Sequence, residues 1–301
     1  MLSLCLILLA SFFFMGIVLR TKSITAGRKG PGIFQPMKDI LRLLRKGSVY
    51  SKTTSIIFQI APTIYFTSVL MAILMIPHGK YPGFISFDGD FVMFAYILAT
   101  GKFLMIISAL DTGSSFEGMG ASREALFTML VEPAFFILMG SFALYSGNTS
   151  FQSIFSELHY GSYISYMLGG LATFVLVLIA MIENSRMPVD DPNTHLELTM
   201  IHEVMVLDNS GFDFGIISYT TNLKFAMYGA IIADFFIGAL PLTLSIPVFF
   251  IFQFGFAVTV GIIESFNARF RMGHNPQFIF ILTSVSLLLF FGVLLVIGKF
   301  I

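Results

Sequence analysis

Cysteine is almost missing from this chain: Cys5 stands alone among 301 residues. One thiol closes no disulfide within the chain. It also falls short of the four thiolates an iron–sulfur cluster takes, and of the several Cys or His ligands of a structural zinc site. Charge is scarce too, at 11% of residues against 56% hydrophobic, with a mean hydropathy of +0.88. That excludes a soluble globular chain and indicates a polytopic membrane protein. No basic residue precedes the first apolar run, and the positive charges follow it, so a cleaved signal peptide is not expected. Tryptophan is absent while Phe occurs 36 times, a bias for which we have no physical account.

Other absences narrow the chemistry. Gly118-Met119-Gly120 invites a nucleotide-loop reading, but no buried strand precedes it and no Walker lysine follows. His202-Glu203 is not a zinc-protease signature, because Val206 stands where the second His belongs. There is no Ser-His-Asp arrangement, and no pair of matching halves with broken helices such as a secondary transporter carries.

What is present is a series of apolar runs, each near the roughly 20 residues that cross a bilayer core. They lie at about 2–19, 56–76, 91–110, 125–145, 162–182, 225–243, 246–265 and 278–298. The expected fold is an all-α membrane bundle of about eight transmembrane helices, forming one integral domain over 1–301. Pro241 and Pro247 bracket a short turn that makes 225–265 a helical hairpin. The loops rich in Lys and Arg are 20–55, 111–124, 183–224 and 267–277, and little beyond Lys80 and Lys299 faces the other way. The positive-inside rule then makes those four loops cytoplasmic and leaves both termini outside.

From Ile33 to Lys46, apolar Ile33, Phe34, Met37, Ile40, Leu41 and Leu44 recur at helical spacing. This predicts an amphipathic helix, either on lipid headgroups or clamped against a cytoplasmic partner. Lys102 and Glu132 fall at matching depths on consecutive spans. They predict a buried pair, which either stabilises the bundle or tunes a titrating carboxylate. Asp234 is expected near the midplane, where a lone acid is a functional candidate. Glu264 is expected to snorkel to the inner surface, and Ser114 or Ser122 to cap the returning helix.

The polar centre of the chain is Glu183–Gly211. It gathers Glu183, Asp190, Asp191, Glu197, Glu203 and Asp208 around Arg186, His195 and His202. Pro188 and Pro192 hold its first part extended, and a helix from about Asn193 would align His195, Thr199 and His202 on one face. Proton traffic is expected to touch this loop. Histidine among carboxylates is read here as hydrogen-bonded or titrating, not as a metal ligand.

Three segments carry a family resemblance. GRKGPGIFQPMKDILRLLRK, LDTGSSFEGMGASRE followed by LVEP, and ENSRMPVDDPNTHLELTMIHE together resemble the membrane subunit that anchors a hydrophilic redox arm. That family comprises the H subunit of respiratory complex I (NADH dehydrogenase subunit 1) and its equivalents in group 4 membrane-bound nickel–iron hydrogenases and formate hydrogenlyases. The short interval from Gly30-Pro31 to Gln35-Pro36 is similar to the hydrogenase side, while the two His of the central loop depart from complex I loops.

The resemblance implies a non-catalytic coupling subunit of an oxidoreductase complex, in the inner or plasma membrane of a prokaryote. Its acidic path from cavity to membrane maps onto Glu132, Glu183, Asp190, Asp191, Glu197 and Glu203. Arm docking maps onto Arg28, Lys29, Gln35, Asp39 and Arg186. Implied partners are an iron–sulfur subunit, a hydrogenase-large-subunit-like protein, antiporter-like membrane subunits and lipid, with no nucleic acid. Iron–sulfur clusters and nickel–iron would belong to those partners. Quinone binding stays open, as does the choice between coupling subunit, quinone reductase subunit and standalone transporter.

Overall fold

The computed structural model describes residues 1–160, 163–190, 200–238 and 240–298, the side chains at 159, 160 and 163–165 excepted. The helices are α1 (Leu2–Thr25), α2 (Gln35–Leu44), α3 (Ile56–Met75), α4 (Asp90–Asp111), α5 (Ser115–Ser146), α6 (Phe151–Tyr160), α7 (Tyr163–Glu183), α8 (His202–Met205), α9 (Gly211–Ile237), α10 (Leu242–Phe266) and α11 (Asn275–Val296). Seven of the long ones are apolar enough to cross a membrane. The remaining long helix, α9, has 27 residues and carries Asp213, Lys224 and Asp234. It tolerates them because neighbouring helices bury nearly its whole length. The chain is thus an all-α polytopic membrane bundle, and the 225–265 region is a hairpin of α9 and α10, as expected.

Hydrogen bonds tie the bundle together at both ends. At the basic end Thr25 donates to Ser265 at 2.6 Å, and the Ser55 amide donates to Asp111 at 2.6 Å. At the opposite end the Phe151 amide donates to Asp90 at 2.7 Å. Between them the core is aromatic. Phe14 of α1 stacks on Phe225 of α9 at 5.2 Å and leans on Phe256 of α10 at the same distance.

Two glycines decide how closely helices approach. A Cβ on Gly101 of α4 would collide with the Ser68 side chain, its Cβ included, so glycine lets α3 lie this close beside Lys102. Gly215 of α9 similarly admits Leu43 and Leu44 of α2. The amphipathic helix therefore exists and rests on protein: Met37 and Ile40 are buried, while Lys38 and Asp39 stay exposed.

Several expectations need correction. Much of the stretches 111–124 and 183–224 is helical, because α5 starts at Ser115 and α9 at Gly211. Ser122 lies inside α5 and Ser114 is its N-cap without a side-chain cap bond; the Ser114 amide bonds instead to Thr112 Oγ1. The long helix expected from Asn193 is reduced, among the described residues, to the four residues of α8. Asp191, His195, Glu197 and Thr199 lie outside the described residues.

Candidate functional site

Glu183 ends α7, where the helix dipole disfavours a carboxylate. Two lysines from other helices offset this. Lys102 Nζ of α4 donates to Glu183 Oε2 at 3.1 Å, and Lys224 Nζ of α9 donates to the same oxygen at 2.9 Å. Lys102 Nζ also forms an ion pair with Glu124 Oε1 of α5 at 2.8 Å. Ser185 Oγ donates to Glu124 Oε2 at 3.4 Å. The sequence Ser185–Glu124–Lys102–Glu183–Lys224 is thus one buried chain with formal charges that sum to zero. A lone ion at such a position would cost several kcal/mol. Mutual neutralisation is what permits four of them.

Lys102 and Glu132, expected as a pair, share a cavity of about 40 Å³ with Glu183, Thr128 and Tyr228. Lys102 takes its ion pairs from Glu124 and Glu183 instead. The reason is geometric: α5 begins ten residues earlier than the apolar run suggested, so Glu124, Thr128 and Glu132 line up at i, i+4 and i+8 on one face. Glu132 sits midway along α5 and is half-buried. The next residue, Pro133, leaves the Met129 carbonyl without its helical donor.

A second polar group borders this chain. Arg186 was expected on the docking surface, but it is buried, with Nη1 3.3 Å from Glu264 Oε1 and its guanidinium 5.6 Å from the Phe225 ring centre. Glu264 does not snorkel. It is 2% exposed and held between Arg186 and Lys22, the latter at 3.4 Å. Asp190 pairs with Arg269 at 2.8 Å and accepts the Ile201 and His202 amides, so it caps α8. Arg28 and Lys29 are exposed at the basic end, and Gln35 donates to Asp39 at 2.9 Å on α2.

Between these groups lies a cavity of about 280 Å³ lined by Asp39 and Ile40 of α2, Ser185, Arg186, His202, Glu203 and Asn222. Ser185 belongs both to this cavity and to the charge chain. Burial pushes the His202 imidazole below its usual range; Glu124 opposes that, while Lys102, Lys224 and Arg186 add to it. Near neutral pH His202 therefore lines the cavity as a neutral imidazole. Among the described residues, no group of three or more His, Cys, Asp or Glu could hold a metal ion.

Asp234 is displaced from its expected place. Because α9 starts at Gly211, it lies three residues before the helix end opposite the basic loops, not at the midplane. Glu124 and Lys224 escaped the sequence reading, and Glu264 was read as a surface group and not as a buried partner of Arg186. Glu124 and Lys224 stood at the rims of stretches taken as loops; the one signal for Glu124 was its eight-residue spacing from Glu132, two helical steps of four.

The chain is similar to several known proteins. Over 232 residues the chain is 28% identical to hydrogenase-4 component C of Escherichia coli (strain K12), covering 77% of this chain and 72% of that protein. It is 29% identical over 197 residues to formate hydrogenlyase subunit 4 of the same strain, covering 65% and 63%. NADH-ubiquinone oxidoreductase chain 1 of Dictyostelium citrinum is 25% identical over 221 residues, covering 71% and 67%. In fold, the chain is similar to one in the archaeal membrane-bound sulfane sulfur reductase, with a TM-score of 0.80, 18% identity and coverage of 97% and 98%. The family described as NADH dehydrogenase matches residues 1–295. A match over nearly the whole length makes this chain a member of the NADH dehydrogenase subunit 1 family.

Proposed function

We propose that the chain is the membrane-embedded coupling subunit of a respiratory complex. It docks a hydrophilic redox arm at its basic end and links electron transfer to proton or sodium translocation. The observation that carries this reading is the neutral, buried chain Glu124–Lys102–Glu183–Lys224 beside a cavity at the docking end. A unit charge appearing about 10 Å from one ion of this chain changes that ion's energy by about 1.7 kcal/mol at an effective dielectric of 20. That exceeds the energy of one pKa unit, about 1.4 kcal/mol. An electron arriving in a docked arm can therefore redistribute protons along this chain. Glu132, at the membrane end of the small cavity, passes the change to neighbouring subunits.

In this reading the arm supplies an iron–sulfur subunit and a hydrogenase-large-subunit-like protein, which hold the iron–sulfur clusters and any nickel–iron. Antiporter-like subunits flank the bundle in the cell membrane of a prokaryote. The relatives' names, component C and subunit 4, support membership of a larger assembly over a standalone transporter.

Glu132→Gln tests the coupling. The complex is expected to assemble and transfer electrons at the normal rate, while ion translocation per electron falls at least tenfold. Unchanged coupling would remove Glu132 from the path.

The 280 Å³ cavity supports a second reading, in which it takes a quinone headgroup: its size approaches that of small-molecule sites, about 300 Å³ and upward, and Arg186 and His202 supply polar groups. A quinone-site inhibitor that competes with an added quinone would favour this reading.

A further inference from the structure

Two carboxylates are buried at the end opposite the basic loops, and they are treated differently. Asp90, at 0% exposure, accepts the Phe151 amide at 2.7 Å and the Ser150 hydroxyl at 3.1 Å, and so anchors the start of α6. Both of its oxygens have donors. Asp234, at 1% exposure, has one: Oδ1 accepts the Gly79 amide at 3.2 Å, and Oδ2 is buried without a partner. Among the described residues no Lys or Arg pairs with it.

The same residue of the α3–α4 loop holds a second incomplete group. Gln152 of α6 donates to the Gly79 carbonyl at 3.3 Å, and its Oε1 is also buried without a partner. Gly79 therefore joins two side chains that each leave one acceptor unsatisfied. Buried acceptors without donors are rare, and a buried carboxylate with no counter-charge neutralises instead of staying ionised. A protonated carboxyl gains a donor, and the Gln152 Oε1 held on the same glycine can only accept.

We propose that Asp234 is a proton-binding site at this end of the bundle, held as the acid with Gln152 Oε1 as acceptor of its Oδ2 proton. Among the described residues, the other titratable groups nearby are His78, Lys80 and Glu157. His78 on the same loop is buried and bonded to Ser245 of α10 at 3.2 Å; Lys80 of that loop and Glu157 of α6 are exposed. Since Gly79 is half-buried and Lys80 exposed, the site lies just beneath the surface and exchanges its proton from that side. Lys224 lies ten residues away on the same helix, about 15 Å along its axis. The site's use in coupling rests on the function proposed above; the site itself does not.

Infrared difference spectra of the intact complex after a pH step test the site directly. Wild type is expected to show the C=O band of a protonated carboxyl, and Asp234→Asn, which retains the Gly79 bond, to lose that single-carboxyl component. Gln152→Leu is expected to shift the band without removing it, and decides the matter if Asp234→Asn fails to assemble. A band unchanged in both variants, or absent from wild type, would overturn the site. If the band behaves as expected but Asp234→Asn translocates ions normally, the site stands and only its use in coupling falls.

Discussion

Lys224 holds Glu183 twice: its Nζ lies 2.9 Å from the side-chain Oε2 and 3.2 Å from the main-chain oxygen of the same residue. The lysine thus neutralises the carboxylate and also satisfies a carbonyl at the end of α7. It lies 5.8 Å from the ring centre of Tyr65 on α3, so three helices meet at one ammonium.

Lys224→Met is expected to destabilise the folded chain by about 3 kcal/mol, since removing one partner of a buried pair leaves the other uncompensated. Lys102 still bonds to Glu183 and keeps the loss from being larger. Thermal unfolding in detergent measures it. The double variant Lys224→Met/Glu183→Met should recover part of the loss, giving a coupling energy of about 1–3 kcal/mol in a double-mutant cycle. Strict additivity would contradict the pairing.

Arg186 and Arg28 should respond differently although both belong to the basic end. Arg186→Ala leaves buried Glu264 with only Lys22 and is expected to lower the chain's own stability by about 2–3 kcal/mol. Arg28→Ala and Lys29→Ala are surface changes and should stay within about 0.5 kcal/mol. Their effect is expected in retention of the hydrophilic arm, which should be lost at lower salt than in wild type. Co-purification across a salt series separates the two behaviours.

The pH dependence of stability has a definite sign at His202. Its pKa in the folded chain lies below the ordinary value of 6.5. Between those two values the unfolded chain binds the extra proton and the folded chain does not, so stability rises with pH. The contribution is complete above about pH 6.5 and is lost as the pH falls below it. His202→Gln should flatten the melting-temperature profile between about pH 7.5 and 5.5. An unchanged slope would mean that the imidazole titrates as it does in water.

The bundle itself was legible because the membrane imposes a simple demand. Runs of about 20 apolar residues must become helices, since lipid satisfies no backbone hydrogen bond. That constraint made the all-α class, the α9–α10 hairpin and the amphipathic α2 readable without coordinates. Lys102 and Glu132 were conspicuous for the same reason, as charges inside apolar runs; Glu183 stood out as the first residue of the polar centre. Helix ends were not. The starts of α5 and α9 lie in polar sequence that resembles loop, and their early beginnings moved Glu124 into the buried chain and Asp234 to the far end.

What the linear order of residues determined here was local: which segments are helical, which faces are apolar, and at which end basic charge collects. Which charge neutralises which was decided only by packing. Lys102 meets Glu124 and Glu183 because Gly101 lets α3 and α4 close together and because α5 and α7 bring their acids to the same depth. Arg186 turns inward because Glu264 waits there on a helix some eighty residues further along the chain. Ion pairs form across a few ångströms of space, and proximity among helices this distant in the chain is a property of the assembled bundle alone.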